Sequence, residues 1–216
     1  MEEKNLNSRL ETFCDGVFAI ALTLLIIDIK APTGDNITCS ADLWKAVGRL
    51  GPSVFAFLLS FCIILISWAN HHMTMTLISK SSYRFLYANG FLLLSIVFFP
   101  FPTSMLADNI LTNQAVPAVV LYSLTNLMTN IGWILILRVA LSSVHPLSKN
   151  QHAHKALVEL RKKAYMAFFI YSACVIGAFW YPKTVAVILT CIWIAWLVVG
   201  INVKEKIHVA ESPVNK

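Results

Sequence analysis

A carboxylate stands inside an apolar run near the start of the chain: Arg9-Leu10-Glu11-Thr12-Phe13-Cys14-Asp15-Gly16-Val17-Phe18-Ala19-Ile20-Ala21-Leu22-Thr23-Leu24-Leu25. At the centre of a bilayer such a group costs roughly 3 kcal/mol or more, so Asp15 calls for a partner or a task. Donors of the right kind occur elsewhere: Arg9, the cluster Trp68-Ala69-Asn70-His71-His72, and Asn89. A neutral imidazole or an indole N–H can donate to a carboxylate. Two chemistries follow: a hydrogen-bonded network that locks helices together, or a proton relay through Asp and His. His71-His72 and His152-Ala153-His154 also raise metal binding. Adjacent histidines do not share a helix face, however, and no carboxylate cluster accompanies them. No nucleophile–base pair stands out, which argues against an enzyme, and no cofactor motif is visible.

The elements that must position these residues are membrane spans. The 216 residues are 57% hydrophobic and only 13% charged, against about 25% charged in an ordinary soluble domain. Crossing a bilayer takes ~20 apolar residues. Stretches without charge run from Leu50 to Lys80, Arg84 to Asp108, Asp108 to Arg138, Lys163 to Lys183 and Lys183 to Lys204. With the interrupted first run they predict an all-α polytopic membrane protein of six transmembrane helices. The spans are approximately 9–29, 50–73, 84–107, 115–138, 163–181 and 184–203, in one domain over 1–216. The first run leads into Asp28 and Lys30 rather than a small-residue cleavage site, so it reads as a retained helix.

Placing both termini in the cytoplasm leaves only Lys30, Lys45, Arg49 and Lys183, of 17 Lys and Arg, on the other side. The positive-inside rule favours that orientation. Topology and anionic lipid then account for the net charge of +6, so no nucleic-acid partner is called for. Of five cysteines, Cys39 alone falls in an external loop, which disfavours a disulfide framework. Asn36-Ile37-Thr38 fits a glycosylation sequon by chance composition.

Ser8-Arg9-Leu10-Glu11 fits a capping box and places the first helix start near Arg9. Asp42-Leu43-Trp44-Lys45 could open an interfacial helix, with Trp44 at headgroup level. Pro100 and Pro102 predict a kink late in the third span. The segment from Ser142 to Lys163 reads as a polar cytoplasmic linker in which His152 and His154 are solvated. At 100° per residue, Ile20, Thr23, Leu24 and Ile27 form a stripe on the first helix, with Arg9 and Gly16 projecting onto it. Asp15 lies well round from Ile20, so the carboxylate and the stripe serve different surfaces. By periodicity alone the stripe faces lipid or a neighbouring helix.

The run Arg9…Phe13-Cys14-Asp15-Gly16-Val17-Phe18-Ala19-Ile20 resembles the first-helix signature of the transmembrane protein 175 family, with Cys14 where the family motif Phe-Ser-Asp has Ser. Trp68…His71-His72 and Asn89…Phe99-Pro100-Phe101-Pro102 are similar to the family's second and third spans. The resemblance implies a potassium-selective channel without the Thr-Val-Gly-Tyr-Gly filter, which the sequence lacks. It implies K+ as permeant ion and a pore lined by the first helices of four repeats. It places the constriction on Ile20, with Leu24 and Ile27 beyond it and Thr23 as adjacent polar residue. It also implies a structural network of Arg9, Phe13, Cys14, Asp15, Trp68, His71, His72 and Asn89. One copy of the motif per chain implies a homotetramer, in the plasma membrane of a prokaryote. A proton-permeable cation channel and a secondary transporter are the rivals. The second would favour inverted repeats and midplane polar residues; Asn126 and Asn130 qualify, but no repeat is visible.

Overall fold

The computed structural model describes residues 2–33, 37–142 and 146–211, with side chains over 7–33, 37–142 and 146–196. The sequon residue Asn36 lies outside them. Among the described residues all regular structure is helical: α1 Glu2–Leu24, α2 Ser40–Arg49, α3 Gly51–Thr76, α4 Tyr83–Phe98, α5 Pro100–Asn109, α6 Ala115–Ala140, α7 Gln151–Gly177 and α8 Pro182–Glu211, with a 3₁₀ turn at Leu25–Asp28 closing α1. Among the described residues four helical stretches are long and apolar enough to cross a membrane, Asn7–Asp28, Gly51–Thr76, Tyr83–Asn109 and Ala115–Ala140; Pro182–Trp196 is a shorter apolar helix.

Helix ends depart from the sequence reading in two places. α1 begins at Glu2, so Ser8 is not a cap; its carbonyl sits inside the helix and accepts the Thr12 hydroxyl at 2.9 Å. The preceding Glu-Glu-Lys residues are good helix formers, and nothing in them stops propagation. The expected linker after Ser142 is helical from Gln151, because the Asn150 side chain caps it by accepting the Ala153 N–H at 2.8 Å. Buried Ala153, Leu157 and Ala164 then lay its first turns on the bundle.

α2 buries none of its residues and leaves Trp44 exposed. Its start is tied by Asp42, whose carboxylate accepts the Cys39 thiol at 3.2 Å and the Thr38 hydroxyl at 3.0 Å. Those bonds, Cys39 first, hold the Asp42 carboxyl below its ordinary range. The helix chain breaks at Phe99, and α5 restarts with Pro100 in its first turn, where a missing N–H costs nothing.

α6 is the central helix, packed against α4, α5, α7 and α8, while α3 carries α1, α5 and α8. α6 and α4 meet at a bare backbone: a Cβ on Gly132 would lie 2.9 Å from the Leu92 Cα. Small polar groups join the helices inside. Ser60 on α3 contacts Thr103 on α5 at 2.6 Å and Tyr122 on α6 at 3.0 Å, all buried. Thr129 on α6 donates to Ser95 on α4 at 3.1 Å. At one end the α3–α4 turn clasps the segment after α6, Ser79 N donating to Leu147 O and Lys149 N to Leu77 O.

Candidate functional site: the two faces of the first helix

α1 divides cleanly. Leu10, Cys14, Phe18, Ala21 and Leu25, spaced by three and four, are buried, and the helix packs on α3 and α4. Around the other side Arg9, Phe13, Gly16, Ile20, Thr23, Leu24 and Ile27 are exposed. Ile20 and Ile27 keep 60% and 67% of their surface open, values that place them wholly outside the protomer's core. Seven residues make nearly two turns, so Phe13, Ile20 and Ile27 stack along one line. The one hydroxyl beside them, on Thr23, donates to the Ile20 carbonyl at 2.9 Å and adds no free donor to the face.

The buried side is held by polar contacts that run through three helices. Trp68 Nε1 on α3 donates to Asp15 Oδ1 at 2.9 Å. One turn later His71 Nε2 lies 2.8 Å from Asn89 Oδ1 on α4. The Asn89 amide nitrogen donates to the Phe85 carbonyl at 2.8 Å, which fixes the amide so that its oxygen faces the ring. The inferred tautomer of His71 therefore carries its hydrogen on Nε2. Its buried Nδ1 has no partner among the described residues. The imidazole also packs on Phe18, ring centres 5.7 Å apart, and on Trp133 at 6.4 Å. His72 Nδ1 sits 3.1 Å from Glu11 Oε1, an ion pair whenever the imidazole is protonated.

Asp15, Trp68, His71, His72 and Asn89 thus lie along the contact of α1, α3 and α4, and Cys14 is fully buried among them. Arg9 and Phe13 are not brought to that contact. Arg9 is six residues from Asp15, about 120° round the helix, and the Arg9 and Phe13 side chains are exposed on the Ile20 face. Sequence reasoning gave Glu11 a capping role in place of its pairing with His72, and passed over Phe18 and Trp133. Phe18 was within reach, since the spacing Leu10, Cys14, Phe18, Ala21 and Leu25 is that of a helix face; Trp133 comes from a distant helix and carries no local signal. Among the described residues no group of three or more His, Cys, Asp or Glu gathers to hold a metal ion.

Fold and site define a polytopic α-helical membrane protein whose first helix is clamped along one side and open along the other. The family described as endosomal/lysosomal potassium channel TMEM175 matches residues 9–100, the stretch that contains both faces of α1 and its partners on α3 and α4. Over that stretch the chain is similar to the transmembrane protein 175 family. It is 42% identical over 121 residues to a potassium channel of Chamaesiphon minutus, covering 56% of this chain and 59% of that one. A potassium channel of Streptomyces collinus is 40% identical over 111 residues, 51% of this chain and 52% of that one. The chain therefore spans little more than half the length of these relatives. A crystal structure described as a lysosomal potassium-selective channel TMEM175 homolog from Chamaesiphon minutus superposes with a TM-score of 0.80 at 28% identity, over 91% of this chain and 98% of that one.

Proposed function

We propose that the protein is a passive potassium-selective channel, not an enzyme, in which four copies of the chain surround a pore lined by α1. The observation that carries this reading is the open aliphatic line of Ile20, Leu24 and Ile27 on a helix whose other side is fixed in place, in a chain whose relatives are named potassium channels. Six spans with both termini in the cytoplasm agree with the distribution of basic residues. One α1 cannot enclose a conduit; a closed ring of identical subunits can. At the axis, Ile20 side chains narrow enough to dewet form a hydrophobic gate. An ion crosses it only by shedding part of its hydration shell, and K+ sheds water at lower cost than Na+. Asp15 and its neighbours position α1 and do not meet the ion. The bacterial relatives point to a prokaryotic plasma membrane.

Purified protein in liposomes, given a K+ gradient and then a Na+ gradient, tests the reading. Fast passive flux that prefers K+ is expected. Flux that saturates slowly, or that needs a coupled gradient, would replace the channel with a transporter. A proton-permeable pore is the second reading, favoured by the Glu11–His72 pair next to Asp15. It would show as acidification of a trapped pH dye without a K+ gradient.

A further inference from the structure

Away from α1, a cavity of about 140 Å³ lies between α3, α6, α7 and α8, and a smaller one of about 70 Å³ lies between α7 and α8. Lys163, Ala167, Tyr171 and Trp196 line both, so the two adjoin as one cleft along α7. The smaller arm is walled by Met166, Ile170 and Ile192, and the charge in both arms is that of Lys163. Met166 and Ile170 keep 66% and 41% of their surface open, and Lys163 is exposed. The cleft can therefore be entered from outside the helix bundle.

Its two ends differ in chemistry. Arg161-Lys162-Lys163 is the last charged run on α7, and no charged residue follows until Lys183. Lys163 thus stands where the helix passes from polar to apolar surroundings. From Lys163 to Tyr171 the cleft follows α7 for about 12 Å into the apolar part. Among the described residues Lys163 makes neither a salt bridge nor a hydrogen bond. Glu159, one turn back, is bonded instead to Lys162 at 2.8 Å and reaches Lys163 only through its field. An ammonium at the mouth calls for an anion, and an apolar cleft below it calls for a hydrocarbon chain. In the orientation with both termini in the cytoplasm, that mouth lies at headgroup level of the cytoplasmic leaflet. Basic pockets between membrane helices on that side bind anionic headgroups.

We propose that this cleft holds one anionic phospholipid per chain, its headgroup phosphate on Lys163 and an acyl chain between α7 and α8. The site makes no use of the pore, so its test is independent of conduction.

Full-length protein in dodecyl maltoside micelles is given dioleoylphosphatidylglycerol or dioleoylphosphatidylcholine, and read by native mass spectrometry and thermal shift. One phosphatidylglycerol retained per chain is expected, with a raised melting temperature. Phosphatidylcholine has the same chains without net charge and should bind about fivefold more weakly. Glycerol phosphate, the anionic head without chains, should give no shift. Lys163→Gln should weaken phosphatidylglycerol about fivefold, whereas Lys162→Gln should leave it bound. Ile170→Trp fills the smaller arm from a partly open position, so it should fold and still lose the lipid. Equal retention of the two phospholipids, or retention unchanged in Lys163→Gln or in Ile170→Trp, would overturn the proposal. A shift with glycerol phosphate alone would also overturn it, by showing a site for free anions.

Discussion

Ile20 and Asp15 are five residues apart on one helix and answer to different physics. Ile20 touches nothing in its own protomer that a polar residue would disturb, since its side chain is mostly open. Ile20→Asn should therefore fold, wet the constriction and raise ion leak with loss of K+ preference. Val187→Asn, at an equally open position on α8, should leave flux as it was. Unchanged conductance in Ile20→Asn would remove Ile20 from the gate. Among the described residues Asp15 accepts a hydrogen bond from the Trp68 indole. Hydrogen bonds between membrane helices contribute about 1 kcal/mol, so Trp68→Phe and Asp15→Ala should each lower thermal stability by a similar amount. The double variant should cost little more than either single one, because both remove the same bond. Asp15→Asn keeps an acceptor oxygen and should stay close to the parent. Fully additive losses would mean that Asp15 and Trp68 act apart.

Between elements, the contact that tolerates least is α4 on α6. Gly132 faces the Leu92 backbone, with 2.9 Å available to a Cβ where ordinary contacts need far more. Backbone cannot step aside as a side chain can, so Gly132→Ala must push the two helices apart. Overpacking of this kind costs roughly 1–3 kcal/mol. Gly177→Ala is the matched control, its Cβ meeting Val185 Cγ2 at an ordinary 3.5 Å. Thermal unfolding should separate the two, and equal melting temperatures would show that α4 and α6 can yield. Nothing in the sequence marks Gly132 as tight, since glycine in an apolar helix reads the same whether it meets lipid or a neighbour. The helical membrane character, the break at Pro100 and the open stripe on α1 were legible, because charge gaps, proline and 3.6-residue periodicity are local signals. The partners of each polar group were only partly legible. Ser60, Thr103 and Tyr122 meet across three helices, and a periodicity argument has no means of pairing residues 43 and 62 positions apart. The start of α7 at Gln151 was missed because its charged first turns look like a linker unless Asn150 is read as a cap.

At the scale of the whole molecule, the channel reading stands or falls on stoichiometry. A protomer that leaves Ile20, Leu24 and Ile27 open is consistent with lipid on that face, and lipid alone would explain their hydrophobicity. What lipid does not explain is the company they keep: Arg9, Gly16 and Thr23 are open on the same side, a mixture suited to a passage with water at its ends. If four α1 helices share an axis, native mass spectrometry should read four copies of the chain. The Ile20 positions of neighbouring copies must also approach within the few ångströms a disulfide spans. In a background where the exposed Cys39 and Cys191 are serine, Ile20→Cys should oxidise readily to linked pairs and block flux. Val187→Cys should do neither, because α8 packs on α3, α6 and α7 and Val187 lies open on its outer side, away from the proposed axis. Monomers by mass, or cross-linking no faster at Ile20 than at Val187, would return the stripe to the lipid and leave the conduction path to be sought inside the protomer.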